Sequence, residues 1–392
     1  MTFSRFMLAA LPGTAALLIG IGLARFGYTP LIPALIGQGW LNAPEAVYLG
    51  ATNLAGYLAG SMLAYRLASR FAPGKVVRFG MLAAAASFVA CALPLGFWWF
   101  VPWRFLAGFC GALLMIVALP LVLSRMPLDR RARTAGVVFT GVGIGVAASG
   151  TLVPSLASYS VSAVWLGMAL VAGTLGLLTW RGWGLAPGNT STAAAQADTA
   201  PASGKLLTRP VLLLLIAYGL DSFGFVPHTV FWVDYIARGL GRGLAEGGFY
   251  WVCFGCGALC GPLLAGLVAE KLGFHYALLG VFVVKTFGVL LPLFSTSMPA
   301  LIVSSLVVGA LAPGISAVLS GRVAELVGLT GHRQVWGWMT VAVGVAQAGG
   351  GYGLSYLFTH NGSYELQFLL GGLALAGGAV LVLFSRGKQI KA

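Results

Sequence analysis

Residues 20–33 read GIGLARFGYTPLIP and place a full positive charge, Arg25, inside a hydrophobic run that extends from Phe6 to Leu35. At about 1.5 Å of rise per residue, a helix of this length crosses the ~30 Å hydrocarbon layer of a membrane with some tilt. An arginine at that depth is costly unless it faces water or a partner. The stretch therefore predicts a membrane-spanning helix that carries a functional site.

A second stretch repeats the first. Residues 219–227 read GLDSFGFVP and match residues 22–30, GLARFGYTP, with Gly, Leu, Phe, Gly and Pro in register. The repeat also carries a charge inside an apolar run, Asp221. The chain therefore contains two related helices, each with an ionisable residue in the membrane.

The composition excludes a soluble domain. Hydrophobic residues make up 59% of the chain and charged residues 8%, and the mean hydropathy is +0.92, whereas a globular protein carries roughly 25% charged residues. The apolar runs lack the alternation of a β-barrel, so the spans are predicted to be helices. We interpret the net charge of +14 through its placement relative to a membrane rather than as a nucleic-acid signal.

Apolar runs between charge clusters predict an all-α polytopic membrane protein with twelve transmembrane helices. The expected centres of the spans are Gly22, Gly56, Ser87, Leu113, Gly145, Val171, Phe223, Gly257, Phe287, Ala312, Val345 and Leu375.

Most of the 23 Lys and Arg residues fall in segments that would lie on one side of the membrane. The other side would have Arg238 and Arg242, while Arg25, Arg104 and Lys285 lie inside spans. By the positive-inside rule we expect both termini in the cytoplasm of a bacterial cell, with the protein in the inner membrane.

The two halves are predicted as a six-helix bundle over residues 1–181, a cytoplasmic linker over 182–208 and a second six-helix bundle over 209–392. The linker is small and polar and has no apolar periodicity. Glycine pairs support the repeat, because Gly56 and Gly60 match Gly257 and Gly261 at an offset of 201.

This pattern resembles the major facilitator superfamily, and residues 20–35 most resemble its bacterial YbfB/YjiJ-type branch. The resemblance implies two six-helix bundles in parallel pseudo-repeat and a central cavity lined by spans 1, 4, 7 and 10. The acidic position of the superfamily's loop signature is occupied by Tyr65, so a gating salt bridge at that position is not carried over.

Three ionisable residues fall on the spans that the resemblance places around the cavity: Arg25, Arg104 and Asp221. We expect the two arginines to bind an anionic group such as a carboxylate, because guanidinium stays charged and binds carboxylates through two hydrogen bonds. Asp221, and more weakly His228, are the candidate proton-binding groups. We expect Arg25 and Asp221 to meet across the cavity.

The neutral residues Asn53, Tyr57 and Gln347 either complete the candidate site or only form hydrogen bonds between helices. Lys285 is expected to be structural, either paired or reaching toward the membrane surface. The full set of expected substrate-binding residues is Arg25, Tyr28, Asn53, Tyr57, Arg104, Tyr218 and Gln347.

The sequence thus predicts a secondary transporter that works by alternating access and moves a small organic anion or zwitterion with or against protons. One alternative is proton-driven efflux of amphipathic apolar compounds, and another is a non-transporting receptor or scaffold on the same fold. A further alternative is that Arg25 and Asp221 form only a buried structural pair.

No enzymatic, nucleotide-binding or metal-binding motif is present, since the sequence lacks Walker A, H-E-x-x-H and G-x-S-x-G patterns. We expect no cofactor and no nucleic acid. The expected partners are a small-molecule substrate, protons and the lipid bilayer, with the protein acting as a monomer.

Overall fold

The computed structural model describes residues 3–127, 130–184 and 206–386, and this part of the chain is helical apart from short connections, with no strand. The helices of the first half are α1 (3–37, in several segments), α2 (Ala43–Arg70), α3 (Pro73–Cys91), α4 (Phe97–Leu123), α5 (Arg131–Ala157) and α6 (Val161–Trp183). Those of the second half are α7 (Arg209–Gly239), α8 (Gly243–Leu272), α9 (Phe274–Phe294), α10 (Met298–Gly328), α11 (329–361) and α12 (Tyr364–Phe384). Every expected span centre falls inside the corresponding helix.

Within the described ranges, nine helices are long and apolar enough to cross a membrane, and the bent α1 makes a tenth. The other two, α2 and α11, are also long but carry more polar residues and glycines. They pack against each other between the two halves, where a less apolar surface is tolerated. The twelve-helix prediction is confirmed.

Local sequence sets the helix ends. Asn42 caps α2 by accepting a hydrogen bond from the backbone N–H of Glu45, whose carboxylate accepts one from the N–H of Asn42, so two otherwise unpaired N–H groups are satisfied. Gly328, at φ 68°, separates α10 from α11 in a backbone conformation that favours glycine.

The repeated stretches lie at breaks in α1 and α7. In α1 a π-helical segment, Leu18–Leu23, is followed by a 3-10 turn, Phe26–Tyr28, and the axis bends by 41°. In α7 a second π-helical segment begins at Pro227. Proline lacks the N–H that would continue the helical ladder, so Pro30 and Pro227, which match in the repeat, account for two interruptions at equivalent positions.

Glycine contacts also repeat between the halves. A side chain at Gly56 would collide with the backbone of Phe105 on α4, and one at Gly257 would collide with the backbone of Leu306 on α10. Close packing of helix backbones through small residues is typical of membrane proteins. The α2–α4 contact and the α8–α10 contact are therefore one structural unit present twice, as expected from the offset of 201.

The two halves meet along α5 with α8 and α2 with α11. Gly150 contacts Gly248, and Gly351 contacts Ala51, while the hydroxyl of Ser355 donates to the carbonyl of Val47 at 3.4 Å. We call the membrane side that holds the ends Arg70 and Lys271 the basic side. These contacts lie toward the opposite side, so the halves are closed there.

The predicted linker, 182–208, falls largely on residues 185–205, which lie outside the described residues. The boundaries proposed for the two halves therefore stay predictions.

Candidate functional site

Arg25 lies at the break of α1 and points between the two halves. Its Nη2 donates to Oε1 of Gln347 on α11 at 2.6 Å. The guanidinium carbon lies 4.7 Å from the ring centroid of Tyr57 and 5.1 Å from that of Phe26. The Nε is buried and has no hydrogen-bond partner in the described part of the chain. Arg25 therefore faces an internal space at the junction of the halves and not the lipid.

Arg104, on α4, is almost fully buried, with 1% of its surface exposed. Its Nη1 donates to the carbonyl of Ala24 at 3.3 Å, and its guanidinium carbon lies 4.2 Å from the ring centroid of Tyr28. Both its Nε and its Nη2 are buried without a hydrogen-bond partner among the residues described. Because Ala24 directly precedes Arg25, the two arginines are neighbours.

One small cavity joins the two arginines. It leaves about 10 Å³ for the centres of water molecules, room for about one of them. The cavity is thus nearly closed in this conformation. It is lined by residues of α1, α2, α4 and α7: Arg25, Phe26, Tyr28, Thr29, Gly50, Asn53, Leu54, Arg104, Thr229 and Val230.

Asn53, Thr29 and Thr229 form hydrogen bonds that connect the helices around the cavity. The amide nitrogen of Asn53 donates to the carbonyls of Ala24 at 3.1 Å and Arg104 at 3.0 Å, which ties α2 to α1 and α4. The hydroxyl of Thr29 donates to the carbonyl of Thr229 and so joins α1 to α7 across the halves.

Asp221 does not meet Arg25, contrary to the expectation from the repeat. Its Oδ1 accepts a hydrogen bond from Nζ of Lys285 on α9 at 2.7 Å, and the pair is buried. The ammonium also lies 4.8 Å from the ring centroid of Phe225. The physical reason is that Arg25 matches Ser222 in the repeat, so Asp221, one residue earlier in a regular helical segment, points about 100° further round α7. Asp221 turns toward α9, where the remaining intramembrane cation is available.

Lys285, which we expected to be structural and either paired or reaching toward the membrane surface, is paired. It occupies the position beside Asp221 that we had expected Arg25 to take. The sequence did indicate that Asp221 would have a cationic partner inside the membrane. Three cations and one carboxylate lie near span centres, and helical position alone does not decide which cation takes the carboxylate.

His228 lies on α7 beside Trp232, with ring centroids 4.4 Å apart. Its Nε2 lies 3.0 Å from the hydroxyl of Ser304, and that hydroxyl donates to the carbonyl of Gly288 at 2.6 Å. Since a serine hydroxyl has one proton, Ser304 must accept from Nε2–H of His228. The Nδ1 of His228 is then a buried acceptor without a partner within the described residues.

The other expected site residues divide into two groups. Tyr57 lies under Arg25, and the hydroxyl of Tyr28 is held by the carbonyl of Ala46 at 2.9 Å while its ring faces Arg104. Tyr218 instead contacts Ser316 on α10 through its hydroxyl at 2.9 Å. Of the expected substrate-binding residues, Tyr57, Tyr218 and Gln347 are not in the cavity lining.

Two features of the site escaped the sequence analysis. The ring centroid of Trp165 on α6 lies 5.9 Å from the guanidinium carbon of Arg104, and Thr229 lines the cavity and accepts the hydrogen bond from Thr29. Neither residue is unusual in an apolar helix, so no sequence signal marks them.

Comparisons with known proteins identify the family of this chain. A family model described as "Uncharacterised MFS-type transporter YbfB" matches residues 17–383, where MFS denotes the major facilitator superfamily. A protein of Haemophilus influenzae (strain ATCC 51907 / DSM 11121 / KW20 / Rd), named "Putative metabolite transport protein", is 21% identical over 235 residues. That match covers 56% of this chain, and the chain spans 57% of that relative.

Among solved structures, the crystal structure of a D-xylose-proton symporter matches with a TM-score of 0.71 at 18% identity. The match covers 98% of this chain and 97% of the symporter, which shows a common fold. The family model spans nearly the whole chain, including both arginines and both halves. The chain therefore belongs to the YbfB-type family of major facilitator superfamily transporters, and it is a multi-pass membrane protein rather than an enzyme.

Proposed function

We propose that this transporter moves a small organic anion, coupled to protons, through the cavity that contains Arg25 and Arg104. The observation that carries the proposal is that both arginines line one cavity and that neither guanidinium group is paired with a carboxylate in the described residues. An uncompensated charge inside a membrane protein is costly. A bound anion would balance it, and guanidinium binds carboxylates with directed, charge-assisted hydrogen bonds.

Proton coupling is proposed to act through Asp221. Its carboxylate is balanced by Lys285, so protonation would leave the ammonium without its partner in a buried site. Asp221 lies just before the break in α7, close in sequence to Thr229, which bonds to α1. A change in this ion pair therefore acts on the helix that joins the two halves, which is the link that alternating access requires. His228, with its free Nδ1, is the second proton acceptor that we propose.

We further propose that the basic side faces the cytoplasm and that the membrane is the bacterial inner membrane. The distribution of Lys and Arg supports this orientation. With the halves closed on the opposite side, the nearly closed cavity would then be reached from the cytoplasmic side.

The test is a proton-flux assay. Purified protein is reconstituted into liposomes that contain a pH-sensitive dye, and external mono- and dicarboxylates, neutral sugars and amphipathic cations are added at equal pH. For symport we expect an organic anion to acidify the interior faster than in protein-free liposomes. The proposal fails if sugars or amphipathic cations move protons and no organic anion does.

Matched variants assign the effect to the cavity. Arg25→Gln and Arg104→Gln each remove one charge from the cavity and should abolish the anion-driven signal. Arg66→Gln removes the same charge from an exposed position on the basic side and should leave the signal unchanged. Asp221→Asn should retain exchange of the anion while losing its coupling to protons.

Efflux of amphipathic compounds is the second candidate. It is supported by an aromatic cluster at the junction of the halves, in which the ring centroid of Phe26 lies 6.2 Å from Phe225, 6.3 Å from Trp251 and 6.3 Å from Phe254. If this candidate is right, Phe254→Ala should alter the response to amphipathic cations, whereas Arg104→Gln should not.

A further inference from the structure

The arginine–carboxylate pair near the membrane surface shows how this chain uses a guanidinium group. Arg238 holds Asp234 through Nε at 2.6 Å and Nη2 at 2.9 Å, so each nitrogen meets one carboxylate oxygen. This edge of the guanidinium, formed by Nε and Nη2, matches the spacing of the two oxygens.

The same edge of Arg104 has no hydrogen-bond partner among the described residues. Its Nε and Nη2 are the two nitrogens without a hydrogen-bond partner in the described ranges, whereas Nη1 is held by the carbonyl of Ala24. The side chain is 1% exposed, so bulk water does not satisfy these donors. An edge that is fixed in place, buried and unpartnered is prepared for a planar acceptor with two oxygens.

At Arg25, one of the two nitrogens of the corresponding edge has a hydrogen-bond partner and the other has none among the described residues. Its Nη2 donates to Oε1 of Gln347, a neutral acceptor, while its Nε has no partner among the residues described. A carboxylate is a stronger acceptor than an amide, so it would displace Gln347 and use both nitrogens. Binding at Arg25 would then also release a bond between α1 and α11.

The charge balance agrees with two separate anionic groups. The Asp221–Lys285 pair is neutral overall, and no other carboxylate of the described chain is paired with either cavity arginine. The positions that match Arg25 and Arg104 in the second half are Ser222 and Ser305, so the repeat adds no further charge. The cavity thus has an excess of two positive charges.

We propose that the substrate is a dianion with two carboxylates, one bound along the Nε and Nη2 edge of Arg104 and the other along that of Arg25. This inference rests on the proposed anion transport and specifies its substrate class. A monocarboxylate would leave one guanidinium group unbalanced and one edge unfilled.

The test uses ligands that differ in charge and little in size. Thermal unfolding of the purified full-length protein is followed with malonate, succinate and glutarate, with the half-amide and the diamide of each, and with inorganic phosphate. We expect one dicarboxylate to raise the unfolding temperature most and to bind at least about tenfold more tightly than its half-amide. The diamide should have no effect.

Variants assign the two carboxylates to the two arginines. In Arg104→Gln and in Arg25→Gln the dicarboxylate should lose its advantage, so that it and its half-amide bind within about threefold of each other. Arg66→Gln should preserve the preference. The comparison within the unsubstituted protein decides the matter even if a cavity variant fails to fold.

Each contrary result has its own meaning. Half-amides that bind as tightly as dicarboxylates would overturn the dianion while leaving anion transport intact. Binding of phosphate alone would overturn the two carboxylates and keep an anionic substrate. Stabilisation by no dicarboxylate overturns the inference, and stabilisation by diamides alone would overturn the proposed function as well.

Discussion

Four ionisable residues determine the electrostatics of the site: Arg25, Arg104, Asp221 and Lys285. The sequence predicted that charges lie inside the membrane, but it did not predict which of them pair. A charge in an apolar run is visible in the sequence because its cost inside a membrane does not depend on the details of packing. The pairing of Asp221 with Lys285 depends on Asp221 lying one residue from Ser222, the match of Arg25, and on the packing of α9 against that face of α7, which the repeat alone does not describe. The adjacency of Arg25 and Arg104 follows from the packing of α4 against the break in α1 and is likewise absent from the sequence pattern.

The Asp221–Lys285 pair gives a prediction at this scale. Lys285→Met leaves a buried carboxylate without its cation, and such a loss destabilises a protein by about 3–5 kcal/mol. We expect a clearly lower unfolding temperature for Lys285→Met. The double variant Asp221→Asn with Lys285→Met removes both charges and should recover most of the loss.

Transport by the double variant distinguishes a structural pair from a coupling pair. If the pair only neutralises two charges, the recovered protein should show proton-coupled uptake at the original rate. We expect instead that it exchanges anions without moving protons. Full proton-coupled uptake by the double variant would contradict the role proposed for Asp221.

At the scale of the helices, the sequence repeat was an accurate guide. The positions of all twelve spans, the equivalence of α1 with α7 and the matching glycine positions of α2 and α8 were predicted. These features depend on the lengths of the apolar runs and on the positions of proline and small residues, which affect the structure close to where they occur in the sequence. The π-helical and 3-10 segments at the breaks were not predicted, because proline shows where a helix is interrupted but not how the chain continues.

The glycine contacts predict similar effects in the two halves. Gly56→Ala and Gly257→Ala each place a methyl group against a helix backbone that cannot rotate away. We expect each to destabilise the protein by about 1–3 kcal/mol in thermal or denaturant unfolding.

Gly173 on α6 is the matched control. A Cβ at this position meets no heavy atom of the described chain within 4 Å, and Gly to Ala in a helix is favourable by about 0.5–1 kcal/mol. Gly173→Ala should therefore be neutral or slightly stabilising. Equal losses in all three variants would contradict packing as the cause.

For the whole molecule, the sequence predicted two bundles but not which side of the membrane they close. Alternating access requires one sequence to support both arrangements, so a pattern of residues does not favour one of them. The structure is closed on the side opposite the basic one, through α2 with α11 and α5 with α8.

A cross-link tests this arrangement. The ideal Cβ position of Gly351 lies 3.3 Å from Cβ of Ala51, close to the separation of about 3.5–4.5 Å found in disulfides. We expect Ala51→Cys with Gly351→Cys to form a disulfide that arrests transport, and a reductant should restore it. The cross-linked peptide is identified by mass spectrometry.

The control pair is Ala51→Cys with Gly353→Cys, because a Cβ at Gly353 has no neighbour within 4 Å among the described residues. This pair should remain reduced and active. Undiminished transport by the fully oxidised Ala51 and Gly351 pair would show that the contact does not open during the cycle.

The two unbalanced guanidinium groups have an electrical consequence. An elementary charge that crosses the full membrane voltage changes its free energy by about 2.3 kcal/mol per 100 mV. An empty carrier with two such charges should feel this field whenever its halves reorient, whereas a carrier loaded with a dianion and with a proton on Asp221 keeps only the single charge of Lys285. Current recordings from the reconstituted protein should therefore show a larger voltage sensitivity for the return of the unloaded transporter than for the loaded step.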